Sequence, residues 1–128
     1  MDFNTESEFI HKHIKKEYQE RLLFELQSSK RREKALSRFA HSSEIILKEY
    51  FIKSKDIPSF NDLPFKIDFS EKCYIISGGE NDGITLPLNQ AIEFCQKSYM
   101  VAILITSKII IVKEECENKE TSWFIAQA

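Results

Sequence analysis

A chain of 128 residues with 42% apolar and 30% charged side chains is long enough to bury one sizeable core. Its formal net charge of −2 excludes strong long-range attraction to a polyanion. Ten Phe, four Tyr and one Trp argue against disorder, and no run reaches the about 18 uncharged apolar residues of a membrane helix, because Ser107 and Lys108 interrupt MVAILITSKIIIV.

The start, MDFNTESEFIHKH, is acidic and polar, without the basic region and apolar run of a signal peptide. Cys73, Cys95 and Cys116 are odd in number and widely spaced, as expected of reduced thiols in a cytoplasmic protein. Residues 1–55 hold twelve Lys/Arg and nine Asp/Glu, including all four arginines, while residues 56–128 hold six and eleven. Every Pro and Gly lies in the second part. That contrast predicts a change from helix to sheet within a single domain, 1–128.

Ile10, Ile14, Tyr18, Leu22 and Leu26 recur every four residues, with Phe9, Leu23 and Phe24 widening the stripe, and predict a helix over about 6–27. Ser28 and Ser29 supply a break and an N-cap. A second stripe, Leu36, Ala40, Ser43, Leu47 and Phe51, keeps its phase across His41-Ser42-Ser43 and predicts one continuous helix over about 30–53. Residues 54–66 read as a linker, since two prolines and Asn61-Asp62 disfavour helix. Its Ile57, Phe60, Leu63 and Phe65 are expected to lie along the fold and cover part of it.

From residue 67 to 128 the period changes. Cys73-Tyr74-Ile75-Ile76 reads as a strand, GGENDG (78–83) as a turn closed by Asp82-Gly83, and Ile84-Thr85-Leu86 as a short return. Pro87 opens a helix over about 87–97 that buries Leu88, Ala91, Ile92 and Cys95. Residues 100–105 and 109–112 form a hairpin around Thr106-Ser107-Lys108, and the acidic run 114–120 leads to a last strand at 123–126, read as an edge. The expected class is α+β: N-terminal helices packed with a mostly antiparallel sheet in β-α-β-β-β order. Because 100–105 and 109–112 are apolar on both sides, the sheet needs two coats. The helix at 87–97 supplies one; the N-terminal helices, or a second copy of the chain in a homodimer, supply the other. Ile75, Ile103, Leu104, Ile110 and Val112 are expected in one core with Leu36, Phe39 and Leu47.

Five of the sixteen residues in SSKRREKALSRFAHSS (28–43) are cationic. On one helix Arg31, Lys34, Arg38 and His41 share a face, and Lys30, Arg31 and Arg32 stand where a helix begins, which is unfavourable without a nearby anion. The strip Lys30, Arg31, Lys34, Arg38 and His41 is thus a candidate phosphate contact. The reading preferred is a solvated helix face with Glu25 and Glu33 as partners, because Phe39 belongs to the core stripe and leaves no aromatic to stack on a base. Helix-turn-helix recognition is disfavoured for want of a short helix pair with a Gly-containing turn.

Other chemistries are weaker. His11 and His13 point about 200° apart on a helix, so only His13 with Glu17 could share an ion, and nothing nearby completes a site. GGENDG lacks the Gly-Lys-Ser/Thr ending of a phosphate loop, and Glu80 with Asp82 are too few for a calcium loop. Cys73 and Cys95 fall on core positions, and the glutamates around Cys116 would raise its pKa, away from nucleophilic use. No metal, cofactor or catalytic residue is expected. The acidic run, with Glu114, Glu115, Glu117 and Glu120, is the preferred partner-binding patch, because like-signed clusters steer association. The expectation is a non-catalytic intracellular protein-binding module of the bacterial immunity or antitoxin type, occluding a basic toxin. The alternatives are a nucleic-acid-associated regulator using the basic strip, or a small enzyme with a site assembled from distant residues.

Overall fold

The computed structural model describes residues 2–40, 44–54, 63–114 and 122–128. Among them the elements run α1 (Phe3–His13), α2 (Lys16–Gln27), α3 (Arg32–Ala40), β1 (Ile52–Ser54), β2 (Lys72–Ser77), β3 (Thr85–Pro87), α4 (Leu88–Gln96), β4 (Ala102–Ile105), β5 (Ile109–Lys113) and β6 (Trp123–Gln127). The α+β class, with helices leading into an antiparallel sheet, is as the sequence predicts.

The helical part is more broken than its periodicity suggests. Asp2 caps α1 by accepting from the Thr5 N–H and hydroxyl at 3.1 and 2.6 Å. At Ile14 the backbone turns extended (φ −104°, ψ 141°) and forms an isolated antiparallel bridge with Ile46. Lys15 N–H donates to Ile45 O and Leu47 N–H to His13 O, so the single helix expected over 6–27 becomes two. The Gln19 side chain donates to the Ile14 carbonyl freed by the break, at 2.9 Å. Ile10, Ile14, Leu22 and Leu26 are buried as the stripe requires, but the change of phase leaves Tyr18 exposed.

The continuous helix expected over 30–53 is also corrected. It ends at Ala40, and Phe51 precedes a short strand, β1. The β-bridge that buries Ile46 holds this segment in extended form. Ser28 closes α2, and its carbonyl accepts the N–H groups of Arg31 and Arg32 at 3.1 and 2.8 Å. A short helix pair, α2 and α3, therefore does exist.

Among the described residues one sheet has the order β1-β6-β5-β4-β2-β3, every neighbouring pair antiparallel. β6 was read as an edge; it lies between β5 and β1, because residues 52–54 supply a strand where helix was expected. Gly83, at φ 75°, makes the β2–β3 turn with a backbone angle that suits glycine.

Both sheet faces are coated within the chain. Tyr74, Ile76, Ile103, Ile110 and Val112 pack under α1–α3 with Phe9, Leu26 and Phe39. Cys73, Ile75, Leu104, Ile111 and Ile125 pack under α4, with Leu88 and Ile92, and under Leu63, Phe65, Ile67 and Phe69. Strand alternation thus divides the single core expected from the sequence. Ile103, Ile110 and Val112 join Leu36 and Phe39, whereas Ile75 and Leu104 face α4. Leu47, expected in that core, is half-buried and belongs to neither cluster. Of the linker residues, Leu63 and Phe65 cover the sheet as expected; Ile57 and Phe60 lie outside the described residues. With both coats internal, the sheet faces supply no reason for a second copy.

Candidate functional site

The described residues of the basic strip differ in exposure and partners. Lys30, Arg31 and Lys34 are exposed, Arg32 is buried, and Arg38, one-third exposed beside Lys34, is paired with Glu25. Arg38 Nε donates to Glu25 Oε1 at 2.9 Å, with the Glu25 carboxylate buried, so Glu25 is a partner as expected. His41 lies outside the described residues. Arg31 stacks over the Phe24 ring, 5.0 Å from its centroid, and Phe24 is 57% exposed. The strip therefore does have a neighbouring aromatic. It comes from α2, a helix away from where the spacing of Phe39 directed attention.

Arg32 is the centre of a buried network that sequence spacing does not reveal. Its guanidinium uses all five N–H donors. Two reach Glu6 at 2.9 and 2.5 Å, two reach Asp82 at 2.7 and 3.1 Å, and one reaches the Leu26 carbonyl at 3.2 Å. The Tyr74 hydroxyl donates to Glu6 Oε2 at 2.6 Å and accepts from the Asp2 N–H at 3.1 Å. Ser77 N–H completes Asp82 at 3.2 Å. α1, α3, strand β2 and the β2–β3 turn meet at this point. A cation in the first turn of a helix opposes the dipole; two carboxylates supply what the position demands.

The electrostatics follow from this geometry. Burial disfavours the Arg32 charge, but the hydrogen bonds it donates to the Glu6 and Asp82 carboxylates outweigh that and raise its hold on the proton. Burial, then the bond to Glu6, raises Tyr74 above the ordinary phenol range. With its donors and acceptors matched internally, the network is a fastener. Asp82, considered with Glu80 as a cation ligand, has its carboxylate on Arg32 and Ser77.

The acidic run begins where the β5–β6 ladder ends. Lys113 pairs with Trp123, and Glu114 N–H donates to Ser122 O at 2.9 Å, so the described residues on either side of 115–121 are held together. Glu114 Oε2 lies 3.4 Å from Lys48 Nζ, in an ion pair more than two-thirds buried. Glu115, Glu117 and Glu120, with Cys116, lie outside the described residues. Lys113 itself is fully buried and donates to the carbonyls of Ser98 and Met100, tying the chain after α4 to the last strands.

Comparison with family models, with curated proteins and with solved structures gives no significant match.

Cys73, Cys95 and His13 lie in or against packed side chains. Burial pushes the Cys73 thiol up to about 12 and the Cys95 thiol up to about 11. Both sit in the α4-side core, as their sequence positions predict. His13 ends α1 and lies against the rings of Phe9 and Phe51, with centroids at 5.6 and 5.4 Å. Its Nε2 is buried without a hydrogen-bond partner among the described residues, and burial, then the charge of Lys12, lowers its pKa. The break at Ile14 puts Glu17 on a different helix from His13, which removes the shared face on which their joint metal site depended. Among the described residues, no group of three or more His, Cys, Asp or Glu is arranged to hold a metal, and no helix is long and apolar enough to cross a membrane.

Proposed function

We propose that this chain is a non-catalytic, cytoplasmic protein-binding module that meets a basic partner through the acidic run 114–120. An immunity or antitoxin-type protein covering a cationic toxin is its concrete form. The observation that carries the reading is the closure of the run by Glu114 and Ser122 at the end of a buried ladder. The sequence from Glu114 to Glu120 holds four glutamates; Glu114 is paired with Lys48, and the other three form a like-signed cluster that favours steered encounter with a cationic surface. The commitment of Arg32, Tyr74, Asp82 and both described cysteines to packing supports a binding role over an enzymatic one.

A nucleic-acid reading has one observation in its favour, the exposed Phe24 beside Arg31. It loses Arg32 and Arg38 to carboxylates, and Glu33 stands exposed beside Lys34. Among the described residues of the strip three cations remain, too few for more than a shallow salt slope.

The two readings separate in one experiment. Tagged wild type, Glu115→Lys/Glu117→Lys/Glu120→Lys and Arg31→Glu/Lys34→Glu are each used to capture partners from nuclease-treated extract of the source cells. The expected result is one basic protein in stoichiometric yield, lost with the first variant and retained with the second. Loss with the second variant alone, or capture abolished by nuclease, contradicts the proposal.

A further inference from the structure

The strand register places Thr85, Tyr74, Ile105 and Ile110 side by side across four strands on the face that carries the N-terminal helices. The next row along the strands, Ile76, Ile103 and Val112, belongs to the packed core under those helices. α1 lines the outer row with Thr5, Glu8, Phe9 and Lys12, the i, i+3, i+4, i+7 face of the helix. A trough of about 330 Å³ remains between α1 and the strand ends, bounded on its outer side by Lys72 and the Thr106–Ser107 turn. That volume is at the lower end of the roughly 300–1,000 Å³ usual for small-ligand sites. Three strand spacings of about 4.8 Å make the row roughly 14 Å long.

The chemistry of this trough is one-sided. The apolar part of its lining is Phe9, Tyr74, Ile105 and Ile110, all but Ile105 mostly covered by the helices, and Thr5, Thr85, Thr106 and Ser107 stand around them. Lys72 lies two residues before Tyr74 on the same strand face, is exposed, and has no ion-pair partner among the described residues. Its sequence neighbour Glu71 instead accepts from the Ser107 N–H and hydroxyl. On the opposite wall Lys12 and Glu8 lie 3.4 Å apart and offset each other's charge. Apolar side chains with an exposed lysine in no ion pair among the described residues at their margin, the neighbouring Glu71 carboxylate being turned to Ser107, complement an apolar chain with one negative end.

We infer that this trough binds a small amphipathic monoanion, a medium-chain or aromatic carboxylate, with the hydrocarbon on Tyr74, Ile105 and Ile110 and the carboxylate on Lys72. The site is independent of the acidic run, which follows the other end of β5 in sequence, so either proposal can fail without the other.

The test uses octanoate as probe, with octanol and octylammonium as neutral and reversed-charge controls, followed by amide shifts in the ¹⁵N-labelled full chain. Octanoate is expected to give saturable shifts at Phe9, Tyr74, Ile105 and Ile110. Lys72→Glu is expected to weaken octanoate by about tenfold or more and to favour octylammonium instead, while Lys72→Met weakens octanoate without admitting the cation. Three results would overturn the inference: no saturable shifts up to about 5 mM octanoate, saturable shifts away from the trough, or equal octanoate affinity in wild type and Lys72→Glu.

Discussion

Replacing Arg32 by alanine should be among the most damaging single changes in the helical half. Five N–H donors disappear at once. Glu6, 1% exposed, and Asp82, with its side chain 10% exposed, are left as carboxylates without their counter-ion. Removing one partner of a buried pair costs roughly 3–5 kcal/mol, because the remaining charge stays desolvated. Here each carboxylate keeps one donor, Tyr74 for Glu6 and Ser77 N–H for Asp82, which places the expected loss at about 4 kcal/mol. For a chain of this size that lowers Tm by roughly 12–20 °C. Arg32→Lys keeps the charge but not the fork, and should lose about 2 kcal/mol. Trp123, the only tryptophan and a buried one, reports unfolding by fluorescence in a urea titration. A loss below about 1 kcal/mol for Arg32→Ala, the range of an exposed ion pair, would refute the reasoning.

Leu104→Ala should cost about 2–5 kcal/mol and speed amide exchange in α4 while sparing α1, since Leu104 packs on the α4 side; faster exchange in α1 would contradict the division of the core. His13 is held below its ordinary pKa, so the unfolded chain binds its proton first. Its contribution to stability is therefore complete above about pH 6.5 and is lost as pH falls below that value, levelling off beneath the folded-state pKa; wild type should lose more urea resistance between pH 7 and pH 5 than His13→Leu. Gly83→Ala should cost roughly 1–2 kcal/mol because φ is positive there, measurable as a lower urea midpoint. Gly78→Ala should be nearly neutral, because the added Cβ meets only the movable Met100 Sδ at 2.8 Å.

Much of the sheet was legible because its signals are local. Two-sided apolar strands required two coats, Asp82-Gly83 marked a turn, and Pro87 stands immediately before α4. The helical half was read less well because its breaks come from tertiary contacts. Neither Gly nor Pro marks the interruption at Ile14; the bridge to Ile46 makes it. Leu47 and Phe51 extend a helical stripe in sequence, yet Phe51 is followed by a strand that pairs with β6.

The candidate site was legible only in outline. Glu6, Arg32 and Asp82 are 26 and 50 residues apart, beyond any spacing rule, although cations at a helix start already called for an acid. Lys113 gave less warning still. It extends an isoleucine-rich strand and is buried against carbonyls from the chain that follows α4. Phe24 was assigned to the buried stripe and lies on the surface, beside Arg31.

The most direct test of the proposed function maps where a partner touches the chain. ¹⁵N-labelled protein is titrated with the basic protein recovered from nuclease-treated extract, and amide signals are followed residue by residue. The account predicts broadening or shifts concentrated at Glu114, Ser122 and the run between them, weakening as salt rises, with Arg31 and Lys34 unmoved. Perturbation centred on Phe24, Arg31 and Lys34, with Glu114 and Ser122 unchanged, would contradict it.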